Sequence, residues 1–366
     1  MTSPDVVIVG AGVIGLSIAW RAAADGCTVT VCDPSPGTGA SWAAAGMLAP
    51  VTEASVAEAP LTGLGLASIR RWPDFAAGLG AETGIDVGLR CEGTVAVAFD
   101  DDDQRALSEL QRVHAAMGLD SEWLTRTECR QLEPLLSPRI RGALMVRGDW
   151  QVDNRSLLRA LEAAATRRGV ALQKQAVERI DRGCVWLAGG EQLEAGAVVV
   201  AAGAASGRLS MPEAARPPVR PVKGDILRLR GGAVLNHTVR AGVRGRSVYL
   251  VPRRDGELVV GATMEETGFD APVRAGAVHE LLDAAVRVLP GVAELEFAEA
   301  TARLRPATPD NAPVLGPSPV PGVILATGHH RNGVLLTPVT ADAIAAVLRG
   351  AEVPPEAAPF TIGRFL

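Results

Sequence analysis

A chain of 366 residues, 48% of them hydrophobic, is long enough to bury a large core and suggests two domains or one with a large insertion. A net charge of −5 leaves no basic footprint for nucleic acid or an anionic membrane surface. The five cysteines (Cys27, Cys32, Cys91, Cys129, Cys184) are scattered, odd in number and never in CxxC spacing, so neither a disulfide framework nor a metal site is expected, and a reducing compartment fits.

The chain opens on Val6-Val7-Ile8-Val9, then Gly10-Ala11-Gly12-Val13-Ile14-Gly15, a helix, a second strand over 28–32, and Asp33. That order is a dinucleotide-binding βαβ unit. Gly10 permits the tight turn, Gly12 lets the backbone approach a pyrophosphate, and Gly15 lets the helix pack closely on the strand. The pyrophosphate then lies at the positive end of the helix. Asp33 suits the two hydroxyls of an adenosine ribose and would repel a 2′-phosphate, which disfavours NADP. The apolar stretch 6–20 is too short for a membrane span, is interrupted by three glycines and has no basic leader, so a cytoplasmic protein is expected.

Past residue 88 the pattern changes. A strand is predicted over 94–99, outside the first unit, and the four acids Asp100 to Asp103 read as a solvated loop entering a helix over 104–117. Residues 154–168 predict a helix. The apolar run from Ala197 to Gly203 reads as a buried parallel strand returning to the first sheet. Proline-rich residues 212–221 read as a crossing between domains. Segments 246–252 and 257–264 flank Asp255-Gly256, a hairpin signal. With Arg254 opposite Glu257, Tyr249 would pair with Ala262 and share a face with Met264, either as a pocket wall or as a surface packed on a helix.

In Thr301-Ala302-Arg303-Leu304-Arg305-Pro306, strand alternation puts both arginines on one face. The following proline holds Arg305 extended, and its guanidinium suits a bidentate pair with a carboxylate, although read alone either arginine is more often a surface or structural residue. Downstream, a strand over 323–328 enters Gly328-His329-His330-Arg331-Asn332-Gly333. A helix is predicted to start near Thr337-Pro338, with Thr337 as its cap.

Three motifs lie in order along the chain: the segment from Thr38 to Pro50, the Arg-Pro-x-Thr-Pro-Asp-x-x-Pro-x-x-Gly run from Arg305 to Gly316, and Gly-His-His-Arg-Asn-Gly at 328–333. Together they resemble the glycine-oxidase branch of the D-amino-acid oxidase family of FAD-dependent amine oxidases, over nearly the whole length. The resemblance implies an α/β fold, with a Rossmann-like FAD-binding domain (1–88, 147–217 and 301–366) and an α+β substrate domain built on an antiparallel sheet (89–146 and 218–300).

It implies non-covalent FAD, its pyrophosphate at Gly10, Gly12, Ile14 and Gly15 and its ribose at Asp33. Ala40, Ser41, Ala45, Gly46, Met47 and Gly203 would line the cofactor, Val177 would meet the adenine through its backbone, and His330, Arg331, Asn332, Gly333 and Val334 would hold the flavin's pyrimidine side. Arg305 and Tyr249 would bind a substrate carboxylate, with Met264 a pocket wall and Arg331 a second active-site arginine. His330 stands where the family pattern has an aromatic residue. The implied activity is oxidation of glycine or small amines such as sarcosine and D-alanine, or of larger D-amino acids and secondary amines, by molecular oxygen and without an obligatory acid or base. A homotetramer and a functional link to thiazole synthase in the thiamin pathway are also implied.

Overall fold

Continuous apolar runs and alternating runs separate into two sheets. The computed structural model describes residues 3–232 and 234–366. The first sheet has the order Val314–Pro317, Val323–Thr327, Ala197–Val200, Val6–Val9, Val29–Cys32, Ala171–Gln173, parallel throughout except for the antiparallel edge strand Val314–Pro317. Its central strands are covered on both faces, which requires apolar residues at every position. Ile8 and Val199 cluster with the helices Val13–Ala24 and Thr337–Leu348, whereas Val7, Val9, Val198 and Val200 meet Ile180, Val185 and Leu187 of a small three-stranded sheet. Each such side chain contributes roughly 1.5–3 kcal/mol by leaving water.

The second sheet has eight strands in the order Glu296–Ala307, Arg220–Arg230, Glu257–Gly261, Arg246–Pro252, Thr238–Val243, Thr94–Ala98, Gly142–Val146, Glu122–Thr125. Only the pair Thr238–Val243 with Thr94–Ala98 is parallel. Helix Ala275–Val288 covers one face, packing Leu281, Ala285 and Val288 on Leu227, Leu250 and Val260. The opposite face meets Ala45 and Met47 through Ile226, Val251 and Val259.

Four expectations change in detail. The strand Glu296–Ala307 pairs along its length with Arg220–Arg230, so a boundary at 301 would cut through it, and Arg305 belongs to the large sheet. The hairpin register is shifted by one: Arg253 donates to Glu257 O (2.8 Å) and Tyr249 pairs with Gly261. The loop therefore has three residues, Arg254, Asp255 and Gly256, with Gly256 at φ +85°, the left-handed position that closes a three-residue hairpin. The helix Asp101–Ala116 begins within the acidic run, and Asp100 caps it by accepting from the Asp102 and Asp103 amides. Thr337 is the first helical residue rather than the cap, its hydroxyl donating to Gly333 O (2.8 Å).

The two sheets are bridged by Arg155, whose guanidinium lies 4.0 Å over the Trp42 ring and makes a two-pronged pair with Glu299 (2.9 and 2.7 Å). None of the described helices is long and apolar enough to cross a membrane. Hydrogen bonds from Arg155 draw the Glu299 carboxyl down to about 2. The stabilisation from this lowered acid is complete above its ordinary value and is lost as pH falls towards 2. Denaturant midpoints for wild type and Glu299→Gln should therefore differ at neutral pH and converge as the solution is acidified towards pH 2.

A candidate active site between the two sheets

A cavity of about 540 Å³ runs from Asp33 and the first glycine turn, along the 39–49 segment, to Tyr249, Met264 and the 329–334 turn. Gly10, Gly12, Ile14, Asp33, Ala40, Ser41, Ala45, Gly46, Met47, Gly203, His330, Arg331, Asn332, Gly333 and Val334 line it, together with Arg305, Tyr249 and Met264. Gly15 does not line it: a Cβ there would overlap Gly10 O, so this glycine lets the helix start against the turn. Val177 is also outside the lining, buried in the three-stranded sheet.

At the Asp33 end the backbone itself forms the wall. A Cβ at Gly10, which has φ +112°, would run into the Ala201 carbonyl, and one at Gly12 would lie 3.1 Å from Ser41 Oγ. Ser41 Oγ accepts from the first helical amide, Val13 N (3.2 Å), while Asp33 accepts from Ala11 N and Ser35 N, both at 2.7 Å. A carboxylate has about four acceptor positions, so Asp33 braces the turn and retains capacity for a diol.

Two residues that sequence reasoning missed fix the middle of the cavity. Asn154 Nδ2 donates to Ser41 O (2.8 Å) and Trp42 O (2.9 Å), and buried Arg253 donates to Ala45 O (2.6 Å), Val152 O (2.8 Å) and Gln151 Oε1 (2.9 Å). Burial pushes the Arg253 guanidinium down to about 10, still charged at neutral pH. Gly46, at φ +72°, lets the lining segment press against the Val152 carbonyl.

At the far end, side chains from two outer strands lie across glycines of the two strands between them. The guanidinium of Arg305 crosses Gly224, where a Cβ would come within 2.5 Å of Cζ, and donates to Thr263 O (3.1 Å) and Lys223 O (3.4 Å). The Tyr249 ring crosses Gly261, where a Cβ would lie 2.5 Å from the ring's Cζ. Burial pushes the phenol up, and Arg305 and Arg240 pull against that rise, so it remains a protonated donor near neutrality. Met264, beyond the end of its strand, is 60% exposed and marks the mouth.

Arg331 is not free: its Nε pairs with Glu53 Oε2 (2.8 Å), and Arg240 Nη1 pairs with Glu53 Oε1 (3.0 Å). Glu53 and Arg240 line the cavity and were not singled out from sequence, because nothing local joins positions 53, 240 and 331. Burial raises the Glu53 carboxyl, but the two arginines outweigh it and hold the acid below its ordinary value. His330 is held at φ +48°, its amide donating to Pro306 O (2.7 Å). Burial, with Arg331 and Arg305 nearby, pushes its imidazole down to about 4, and its Nε2 is buried without a protein partner.

An elongated cavity with a glycine turn, a helix N-terminus and an acid at one end, and a guanidinium beside a phenol at the other, fits a dinucleotide with a small carboxylate beyond it. The buried His330 Nε2, without a protein partner at the cavity wall, is a polar atom that an FAD would satisfy.

The same conclusion comes from known proteins. A family model described as FAD dependent oxidoreductase (DAO) matches residues 5–347. The glycine oxidase of Geobacillus kaustophilus (strain HTA426) is 34% identical over 369 residues, covering 99% of this chain and 97% of that protein. The bifunctional protein ThiO/ThiG of Synechocystis sp. (strain ATCC 27184 / PCC 6803 / Kazusa) is 34% identical over 374 residues, covering 100% of this chain and 54% of that longer protein. The crystal structure of glycine oxidase from Geobacillus kaustophilus superposes with a TM-score of 0.92 at 35% identity, covering 100% of both chains. The chain belongs to the DAO family of FAD-dependent oxidoreductases.

Proposed function

We propose that this chain catalyses the oxidative deamination of glycine and similarly small amines such as sarcosine or D-alanine, with oxygen as acceptor, giving the imine, which hydrolyses to glyoxylate and ammonia in the case of glycine, and hydrogen peroxide. The observation that carries this reading is the pair Arg305 and Tyr249, each laid over a glycine at the end of the cavity away from Asp33. The full-length likeness to a glycine oxidase supports it.

FAD, when bound, supplies the hydride acceptor and the route of electrons to oxygen. The protein's part is orientation. Arg305 receives the carboxylate, with the Thr263 and Lys223 carbonyls fixing the plane of its guanidinium, and the Tyr249 hydroxyl donates a further hydrogen bond. With its carboxylate held there, the substrate's α-carbon would face the part of the cavity assigned to the flavin. Among the described residues no side chain at this end is suited to take a proton: Glu53 is committed to two arginines and His330 is a weak base. The amine therefore reacts as the neutral form, its lone pair driving imine formation.

The turn at Gly10, Gly12 and Ile14, with Asp33, is assigned to the cofactor's pyrophosphate and ribose. The 40–47 segment and the turn from His330 to Val334 are assigned to the flavin. A role in supplying the imine to thiazole synthase is supported by relatives that carry a matching half within ThiO/ThiG proteins. A cytoplasmic homotetramer completes the proposal by family resemblance.

Anaerobic addition of glycine should bleach the flavin band near 450 nm. Bleaching by a bulky D-amino acid but not by glycine, sarcosine or D-alanine would overturn the assignment. Arg305→Ala should weaken carboxylate binding by about 2 to 5 kcal/mol, read as KM and as the dissociation constant of a non-reacting acid. Gly224→Ala, which leaves Arg305 present but displaces it, should raise KM while the flavin-to-protein ratio stays at wild type. No cysteine lies beyond Cys184, so the flavin should be released into the supernatant on acid precipitation.

A further inference from the structure

Asp149 and His114 are both fully buried, neither lines the cavity, and the chemistry above uses neither. Both converge on one peptide. Asp149 Oδ1 accepts from Val51 N (3.0 Å), both of its oxygens accept from Thr52 N (3.3 Å each), and Oδ2 accepts from the Thr52 hydroxyl. From the other side His114 Nε2 lies 2.9 Å from Val51 O, and its Nδ1 lies 2.8 Å from Ser121 Oγ. A carbonyl can only accept, so Nε2 carries the proton and Nδ1 accepts from the serine. Burial pushes the His114 imidazole below its ordinary value, which keeps it in this neutral form.

Among the described residues no cation lies within ion-pair distance of Asp149, and burial pushes its carboxyl up to about 6, against the pull of the Thr52 and Val51 hydrogen bonds and of Arg240. A buried acid without a paired cation is costly to desolvate, and the hydrogen bonds that offset this cost all come from Val51 and Thr52. The residue after the gripped peptide is Glu53. Its carboxylate joins Arg240 to Arg331 at the cavity wall. Gly148 lets the two segments close up, since a Cβ there would lie 3.0 Å from Val51 Cγ2.

We propose that Asp149 and His114 are positioning residues that grip the Val51–Thr52 peptide from opposite sides and so seat the Glu53 carboxylate between Arg240 and Arg331. Glu53 in this seat keeps two guanidinium groups from competing with Arg305 for the substrate carboxylate. The proposal rests on reading that end of the cavity as the carboxylate site.

The test uses FAD-loaded protein and glycolate, a carboxylate lacking the amine, titrated through its perturbation of the flavin spectrum. Asp149→Ala should weaken glycolate binding on the order of tenfold, and Thr52→Val about threefold, as expected for several hydrogen bonds against one. Asp149→Asn keeps one acceptor oxygen for the two amides and should recover most of the loss. Combining Asp149→Ala with Glu53→Gln should weaken binding no more than Glu53→Gln alone, because both act through one carboxylate. Independent, additive losses, or wild-type affinity in Asp149→Ala, would overturn the proposal. If Asp149→Ala loses FAD, the same cycle run with Thr52→Val decides by the same criterion. Wild-type protein that binds no glycolate would instead count against the carboxylate-site reading itself.

Discussion

At five glycines in or directly behind the cavity wall one surface approaches another more closely than a Cβ would permit. Gly10 lies against the Ala201 carbonyl, Gly15 against Gly10, Gly46 against the Val152 carbonyl, Gly224 under the Arg305 guanidinium and Gly261 under the Tyr249 ring. The cavity's width is therefore set by main chain, which has few alternative positions once its sheet is formed. Side chains with many rotamers would give a softer wall. Binding groups mounted on strands and pressed onto glycine lose little conformational freedom when a ligand arrives, because that freedom is already spent.

The second constraint is electrostatic. Arg253 is buried beside the 40–47 segment of the cavity wall, Lys223 and Asp225 pair at 3.0 Å with neither exposed, and Glu53 bridges two arginines. Buried ion pairs of this kind add little to net stability compared with well-packed apolar residues, and breaking one partner is strongly destabilising. What they contribute here is direction. Lys223 also reaches Glu265, whose backbone pairs with that of Lys223, and the Lys223 and Thr263 carbonyls at this seam are the ones that orient Arg305. Charges on the hidden face of the sheet thus hold the main chain that the cavity face relies on.

The βαβ unit was legible because its signals are contiguous: apolar strand, three spaced glycines, helix, second strand and Asp33 fall within 33 residues. Arg305 and Tyr249 were legible through motif resemblance. Gly224 and Gly261 were not, since an isolated glycine among 40 carries no mark of the side chain that will lie over it. The hairpin shows how a small ambiguity propagates. Asp255-Gly256 reads equally as a two-residue turn or as the end of a three-residue one, and the choice moves Tyr249 from Ala262 to Gly261. The cluster of Glu53, Arg240 and Arg331, and the grip of Arg253 on Ala45, join positions separated by more than 75 residues, and no periodicity reports such a meeting.

The chain passes from one sheet to the other four times: before Thr94, after Val146, between Val200 and Arg220, and after Ala307. Four covalent tethers, with the Arg155–Glu299 pair beside them, leave no single hinge about which one sheet could swing away from the other. Entry to Arg305 then depends on the rim near Met264 and Phe269, both of which line the cavity. The size of molecule admitted is consequently governed by a few side chains at an opening in a stiff frame, and substitutions there would change which amines enter without altering how a carboxylate is held once inside.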